Sequence, residues 1–418
     1  MSRLEELIAE LCPDGVEYKR FDEVCSLHAR IGWQRLTKAE YMPTGEYMLI
    51  TGTDFTSQNS VNFNTCVYVS KERYDQDEKI QIHDGDILIT KDGTLGKVAQ
   101  VQGLKMPATL NGGVFVVRSI DGSLLPRFIL HFFQSGFFKK AVDRKKTGST
   151  ISHLTQELFS RLLIPVPPLP VQREIVRILD NFTELTAELT AELTARQKQY
   201  EFYHNEILSF DASTPMLPLN DVILSLNTGL NPRQFFKLNT EDARNYYITI
   251  REIRNGIITP TEKTDRINDE ALRLCNNRSN LDKGDVLFSG TGTIGETAVI
   301  REKPTNWNIK EGVYTIKPNP EKINSSFLRY VLMSKRIRQS YMKKVAGGTV
   351  KSIPMAELRN IRIPVPTMDI QHRIVELLDR FDVLCNDISK GLPAEIAARQ
   401  KQYEYYRDKL LSFRQRPS

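Results

Sequence analysis

Gly85-Asp86-Ile87-Leu88-Ile89-Thr90-Lys91-Asp92-Gly93-Thr94-Leu95-Gly96 returns as Gly284-Asp285-Val286-Leu287-Phe288-Ser289-Gly290-Thr291-Gly292-Thr293-Ile294-Gly295, an offset of 199 residues. At that offset Gly148-Ser149-Thr150 becomes Gly347-Gly348-Thr349, and Ile164-Pro165-Val166-Pro167 becomes Ile363-Pro364-Val365-Pro366. Val171-Gln172-Arg173-Glu174-Ile175-Val176 becomes Ile370-Gln371-His372-Arg373-Ile374-Val375. Further on, Arg196-Gln197-Lys198-Gln199-Tyr200-Glu201-Phe202-Tyr203 matches Arg399-Gln400-Lys401-Gln402-Tyr403-Glu404-Tyr405-Tyr406 at offset 203, so four residues have entered between Asp379 and Arg399. The chain is a tandem repeat.

Each copy opens with β-rich runs broken by Gly, Asn and Asp turns, such as Val114–Val117 and Tyr246–Ile250. Each then turns helical. Ile175, Ile178, Phe182, Leu185, Leu189 and Leu193 recur every three or four residues, and Tyr200, Tyr203 and Ile207 continue the stripe. A helix from Val171 to Phe210 would span about 60 Å, too long for one domain's core. The second helix repeats the stripe with Ile374, Leu377, Leu378, Phe381, Leu384 and Ile388, then meets Gly391-Leu392-Pro393, where a helix stops or kinks. Pro393 suits the first turn of a new helix running to Phe413. The pattern predicts an α+β fold: two mixed, β-rich domains (1–167 and 213–366) separated by two long antiparallel helices (168–212 and 367–418), as a pseudo-twofold repeat.

Composition narrows the function classes. Of 418 residues, 40% are hydrophobic and 26% charged, as in globular proteins, and no apolar run reaches the roughly 18 residues of a membrane span. The acidic start, Met1-Ser2-Arg3-Leu4-Glu5-Glu6, is unlike a signal peptide, so a cytoplasmic location is expected. Five scattered cysteines without a CxxC pair and six histidines without metal-ligand spacing argue for reduced thiols and no metal. A net charge of +6 suits a polyanionic partner without proving one.

Three motifs suggest catalysis and fail on context. Gly290-Thr291-Gly292-Thr293-Ile294-Gly295 satisfies GxGxxG, but the strand-like Glu296–Ile300 follows it where a dinucleotide fold needs a helix. Pro13-Asp14-Gly15-Val16-Glu17-Tyr18-Lys19 has the letters of a metal-dependent nuclease, with its carboxylates too close in sequence to sit on neighbouring strands. Asn231-Pro232-Arg233-Gln234-Phe235 departs from the amino-methyltransferase motif at Arg233. No catalytic residue is assigned.

In this order, the repeated strand–turn, the Ile164–Val176 approach to the first helix and the duplication resemble the specificity (S) subunit of type I restriction–modification systems, over nearly the whole chain. The twinned Thr-Ala-Glu-Leu at Thr186–Leu189 and Thr190–Leu193 is similar to the spacer of the TAEL-repeat (type IC) subgroup. The resemblance implies a non-catalytic subunit with two target-recognition domains, each reading half of a bipartite double-stranded DNA site. Because the two domains differ outside the shared strings, it implies a non-palindromic target. It implies helical spacers that dock two methyltransferase (M) subunits, with restriction (R) subunits on that core. S-adenosylmethionine, ATP and Mg²⁺ would serve those partners, and no cofactor would bind here. A self-contained methyltransferase or nuclease, and a coiled-coil scaffold without DNA binding, are the alternatives.

Base edges are read by Arg, Lys, Asn and Gln, while phosphates take any basic or backbone donor. In the first domain the expected contacts are Arg30, Gln34, Arg35 and Lys38 with Trp33 as aromatic support, then Lys91, Thr94 and Lys97 about the turn. The basic run ending in Lys145 and Lys146, with Ser149 and Thr150, is expected at phosphate. The second domain offers Arg233, Gln234 and Lys237, then Arg251, Arg254 and Asn255, Thr291 and Thr293, and Lys343, Lys344, Thr349 and Lys351. For any one of these a solvated surface role competes. Arg173, Arg373, Arg196, Lys198, Arg399 and Lys401 stand either against the M subunit or in solvent.

Overall fold

The repeated strings build two copies of one scaffold. A computed structural model describes residues 2–92, 95–145, 155–348, 350–386 and 390–417. The chain divides into two units, Met1–Thr190 with Ile396–Ser418, and Ala191–Glu395.

In the first unit, Ser2 and Glu5 form a capping box that starts helix α1 (Arg3–Leu11). Strand β1 (Tyr18–Arg20), the single turn α2 (Phe21–Val24), β2 (Cys25–His28), β3 (Tyr47–Ile50) and β4 (Val67–Val69) follow. The turn α3 (Lys71–Tyr74), then β5 (Gln81–Ile82), β6 (Ile87–Thr90), β7 (Val98–Gln100), β8 (Ala108–Leu110) and β9 (Val114–Ser119) complete the domain's sheets. Helices α4 (Pro126–Gln134), α5 (Gly136–Lys145) and α6 (Gln156–Ser160), strand β10 (Leu163–Pro165) and the long α7 (Leu169–Ile207) close the copy.

The main sheet runs β2-β9-β6-β7, and a smaller one runs β4-β3-β8-β5 with β3 and β8 parallel. The runs Ile87–Thr90 and Val114–Val117 read as uninterrupted apolar strings because both faces of the main sheet are covered. Ile87, Ile89, Phe115 and Val117 pack toward α4 and α7, while Leu88, Val114 and Val116 pack toward the smaller sheet.

The second unit repeats this order. Its strands are β11 (Met216–Pro218), β12 (Ile223–Thr228), β13 (Asn245–Ile248), β14 (Ile253–Arg254), β15 (Ile257–Ile258) and β16 (Arg266–Ile267), then β17 (Val286–Ser289), β18 (Thr297–Val299), β19 (Trp307–Ile309), β20 (Val313–Pro318) and β21 (Arg362–Pro364). Helices α8 (Pro232–Phe235), α9 (Asp269–Ser279), α10 (Ser325–Met333), α11 (Lys335–Met342) and α12 (Met355–Arg359) precede α13 (Met368–Asn386). The main sheet is β12-β20-β17-β18, and the smaller sheet β16-β13-β19 again contains a parallel pair, β13 with β19. α14 (Leu392–Leu410) begins beside Pro393, where the sequence predicts a new helix. The break's residues 387–389 lie outside the described residues.

The shared strings have structural reasons. Gly85 and Gly284 take left-handed φ values of 93° and 88° ahead of Asp86 and Asp285. Each Asp is buried and accepts from a backbone N–H three residues back, His83 at 2.8 Å or Asp282 at 2.9 Å. Each also pairs with a cation on the next strand, Arg118 or Lys317. Gln172 and Gln371, fully buried at the starts of α7 and α13, clamp the loops before α4 and α10. Each accepts one backbone N–H, from Leu125 or Asn324, and donates to two carbonyls.

The twinned Tyr-containing string also docks helix ends. In the first unit Tyr403 donates to Gln134 and meets His131 Nδ1 at 3.0 Å, while Asp408 accepts from Gly136 N–H at 3.0 Å and caps α5. In the second unit Asn205, four-residue insertion considered, is the equivalent of Asp408, and it accepts from Lys335 N–H at 2.8 Å to cap α11.

The α7 stripe differs from expectation. The buried line is Val171, Ile175 and Leu179, with Ile178 and Phe182 alongside, and Leu185 is exposed. Leu189 and Leu193 are half-buried. The GxGxxG string is a tight turn, with Gly295 N–H donating to Ser289 O at 3.0 Å and β18 following.

Candidate nucleic-acid interface

In the first unit, β2, β3, β6 and β8 all end at one rim of the domain, and the segments leaving them line a groove of about 880 Å³. Its walls carry Arg35 and Lys38 after β2, Thr51 and Thr53 after β3, and Lys91 and Lys97 about the β6–β7 turn. Asn111-Gly112-Gly113 forms the floor, fixed by Asn111 N–H to Ile50 O at 2.9 Å and Lys91 N–H to Gly113 O at 2.9 Å. Asn111 also donates to the Tyr41 hydroxyl. Lys91 Nζ lies 5.2 Å from the Phe115 ring centroid, a cation–π contact at the groove's edge. Besides the buried Arg30, four cations line the groove with one carboxylate, Asp92, so the groove is electropositive.

Two expected contacts are corrected. Arg30 is 3% exposed, and its guanidinium is consumed inside the domain. It donates to Leu110 O at 2.6 Å, Gln76 Oε1 at 2.9 Å, Arg73 O at 2.9 Å, Thr109 Oγ1 at 3.1 Å and Gln34 O at 3.3 Å. Burial pulls its pKa down to about 10. Gln34, 2% exposed, accepts from Ile31 N–H at 3.0 Å and donates to Asp77 at 3.0 Å. Both hold the loop, and Arg30 also borders the groove. Trp33, Arg35, Lys38 and Lys97 are exposed. Lys145 closes α5; Thr94, Lys146, Ser149 and Thr150 lie outside the described residues.

In the second unit the same strand ends carry different residues. After β12, Asn231 caps α8 by accepting from Arg233 N–H at 3.0 Å and donates to Glu311 at 2.7 Å, leaving Arg233, Gln234 and Lys237 exposed. Lys310-Glu311-Gly312 stands where the first unit has Asn111-Gly112-Gly113. The turn Thr291–Thr293 is joined to Lys351, whose carbonyl accepts from Gly292 N–H at 2.9 Å, so two distant expectations meet at one rim. Arg251 pairs with Asp265 at 3.1 Å, and Arg254 donates to Arg251 O at 3.0 Å. Asn255 turns the β14–β15 hairpin with φ of 50°, beside β18 through the bridge of Gly256 to Ala298. Lys343 is exposed, Lys344 pairs with Glu357 at 3.3 Å, and Thr349 lies outside the described residues.

Tyr41, Thr51, Thr53 and Asn111, which also line the groove, were not singled out from the sequence. The Gly112-Gly113 pair before β9, at the end of a short strand, was the available signal. Among the described residues no His, Cys, Asp and Glu group could hold a metal ion, and no helix is long and apolar enough to cross a membrane.

The type I restriction modification DNA specificity domain family matches residues 13–196 and again 217–398. A Haemophilus influenzae protein designated a type I restriction enzyme specificity subunit is 32% identical over 79% of this chain and 84% of its own length. The EcoR124I/EcoR124II specificity subunit of Escherichia coli is 35% identical over 61% of this chain and 64% of its own. A solved chain from work on assembly and conformational transition of the type I restriction–modification system shares the fold, with a TM-score of 0.62 at 19% identity over 96% of this chain and 98% of that one. The duplicated scaffold, matched domain by domain, places this chain in the type I restriction–modification specificity-subunit family, the non-catalytic component of those enzymes.

Proposed function

We propose that each β-rich domain reads one half of a bipartite, non-palindromic DNA site, and that the helices dock two M subunits with R subunits on that core. The cationic groove of the first domain carries this reading, because four basic side chains and a glycine-rich floor suit a phosphate backbone lying close to the protein main chain. Arg35, Lys38, Lys91 and Lys97 are the contacts in the first domain, and Arg233, Gln234, Lys237, Thr293 and Lys351 in the second. Domain limits of 1–167 and 213–366, with helical segments 168–212 and 367–418, fit this division of labour.

Support for protein docking comes from the helices. Leu185 and Phe202 on α7, Ile370 and Leu377 on α13, and Tyr405 on α14 are large, apolar and exposed. Phe202 and Tyr405 occupy equivalent positions of the two copies. Such side chains favour association. S-adenosylmethionine, ATP and Mg²⁺ belong to the partners in this proposal, in the cytoplasm, and this chain supplies the address.

The test is methylation-aware sequencing of DNA from cells carrying the chain with its M subunits. A bipartite methylated-adenine motif is expected, and replacing residues 213–366 with another family member's domain should change one half of it. A motif unaltered by that exchange would refute the division between domains.

A further inference from the structure

The loop leaving β2 spends two buried polar side chains to present two bare apolar ones. Ile31 and Trp33 are 58% and 67% exposed at the tip of a single turn closed by Gln34 N–H to Ile31 O at 2.8 Å. Beneath them Arg30 ties the loop to Leu110 and Thr109 at the end of β8, and Gln34 ties it to Asp77. A tip pinned at both ends loses little entropy on binding, so its exposure is a preorganised state.

We propose that Ile31 and Trp33 form a rigid wedge that enters a base step of bound duplex DNA. The first domain thereby reads how readily that step unstacks, besides its base edges. The inference rests on the reading that the neighbouring groove holds DNA. Apolar side chains inserted between base pairs unstack and kink a duplex, and pyrimidine–purine steps yield at least cost. Charge selects DNA over protein as the occupant: Arg35 and Lys38 flank the tip, and Lys91 and Lys97 line the same groove, whereas lysine is depleted at protein interfaces. The second domain offers a parallel. Phe235, 53% exposed, ends the α8 turn that leaves the equivalent strand β12, with Asn231 fixing the turn's start.

The experiment uses the complex of the full chain with its M subunits and duplexes carrying the methylated motif found by sequencing. 2-Aminopurine is placed at successive positions of the first half-site and its flank. One position apart from the methylated adenine, whose own extrusion gives a separate signal, should brighten several-fold on binding. The I31A/W33A variant should abolish that signal, reduce the bend seen by circular-permutation gel shift and weaken affinity about tenfold. W33F should restore part of each. An unchanged signal and bend in an I31A/W33A complex that still binds would overturn the wedge and leave the DNA-reading role intact. Loss of the M subunits from that variant would show the tip to be a protein contact instead. No specific binding by the wild-type complex would overturn the DNA-reading role itself.

Discussion

Arg30 offers the sharpest separation between holding the loop after β2 and touching DNA. Arg30→Met removes a guanidinium and strands acceptors at Leu110 O, Gln34 O, Arg73 O, Gln76 Oε1 and Thr109 Oγ1. Each orphaned buried acceptor costs about 1 kcal/mol, and relief of the buried charge returns part of the total. A net loss of about 3 kcal/mol is expected. For a unit of about 200 residues that lowers Tm by roughly 6–12 °C. Arg30→Lys keeps the charge but loses the planar fork, and should cost about 2 kcal/mol. Calorimetry of the complex with M subunits, without DNA, measures both. If Arg30 were instead a phosphate contact, Arg30→Met would leave Tm within about a degree and reduce the salt slope of DNA binding by about one. That pairing of results would refute the scaffold role.

Three further outcomes follow from particular side chains. Burial, with Arg329 adding to it against Asp382 and the Tyr330 carbonyl, lowers His204 from 6.5 to about 4. The unfolded chain therefore takes the proton first, and stability falls by about 3 kcal/mol as pH drops from 6.5 toward 4; His204→Gln should flatten a urea-melt series across that window. Lys91→Ala with Lys97→Ala should cut the slope of log affinity against log salt by about 2 while leaving the methylated motif unchanged, and a changed motif would mean they read bases. Gly295, with φ of 98°, has the Tyr341 hydroxyl where a Cβ would stand, while Gly96, with φ of 75°, meets only Phe138 at 3.7 Å. Gly295→Ala should thus cost about 3 kcal/mol and Gly96→Ala about 1 kcal/mol by denaturant midpoint.

The repeat made the scaffold legible, since strings such as Gly85-Asp86 and Val171-Gln172 recur where the backbone needs a left-handed glycine, a buried cap or a clamp. Arg118 and Lys317, also 199 residues apart, were signals that went unused; they pair with the two aspartates. The groove was harder to see. A sequence shows that Arg30 is basic, but whether its charge faces solvent depends on Gln76 and Thr109, which tertiary pairing, including that of β5 with β8, brings near. The α7 stripe departs from expectation at Leu185 and Tyr203 for a related reason: both have apolar spacing, yet burial depends on the neighbours each residue meets, and these two are exposed.

What differs between the domains sits where the strands end. Arg118 and Lys317, Gln172 and Gln371, and Asp408 and Asn205 perform the same work in each copy, so the frame tolerates little change. The floor of the rim shares only its backbone bonds between the copies, and its side chains differ. Asn111-Gly112-Gly113 leaves the main chain open beyond Asn111, whereas Lys310-Glu311-Gly312 sets a carboxylate there, held by Asn231 at 2.7 Å. A carboxylate repels phosphate and accepts from the exocyclic amine of cytosine. On the proposed reading the two floors therefore demand different bases under one frame, and Glu311→Gln should relax discrimination in the second half of the methylated motif alone. Relaxation in the first half, or none in either, would remove Glu311 from the reading set.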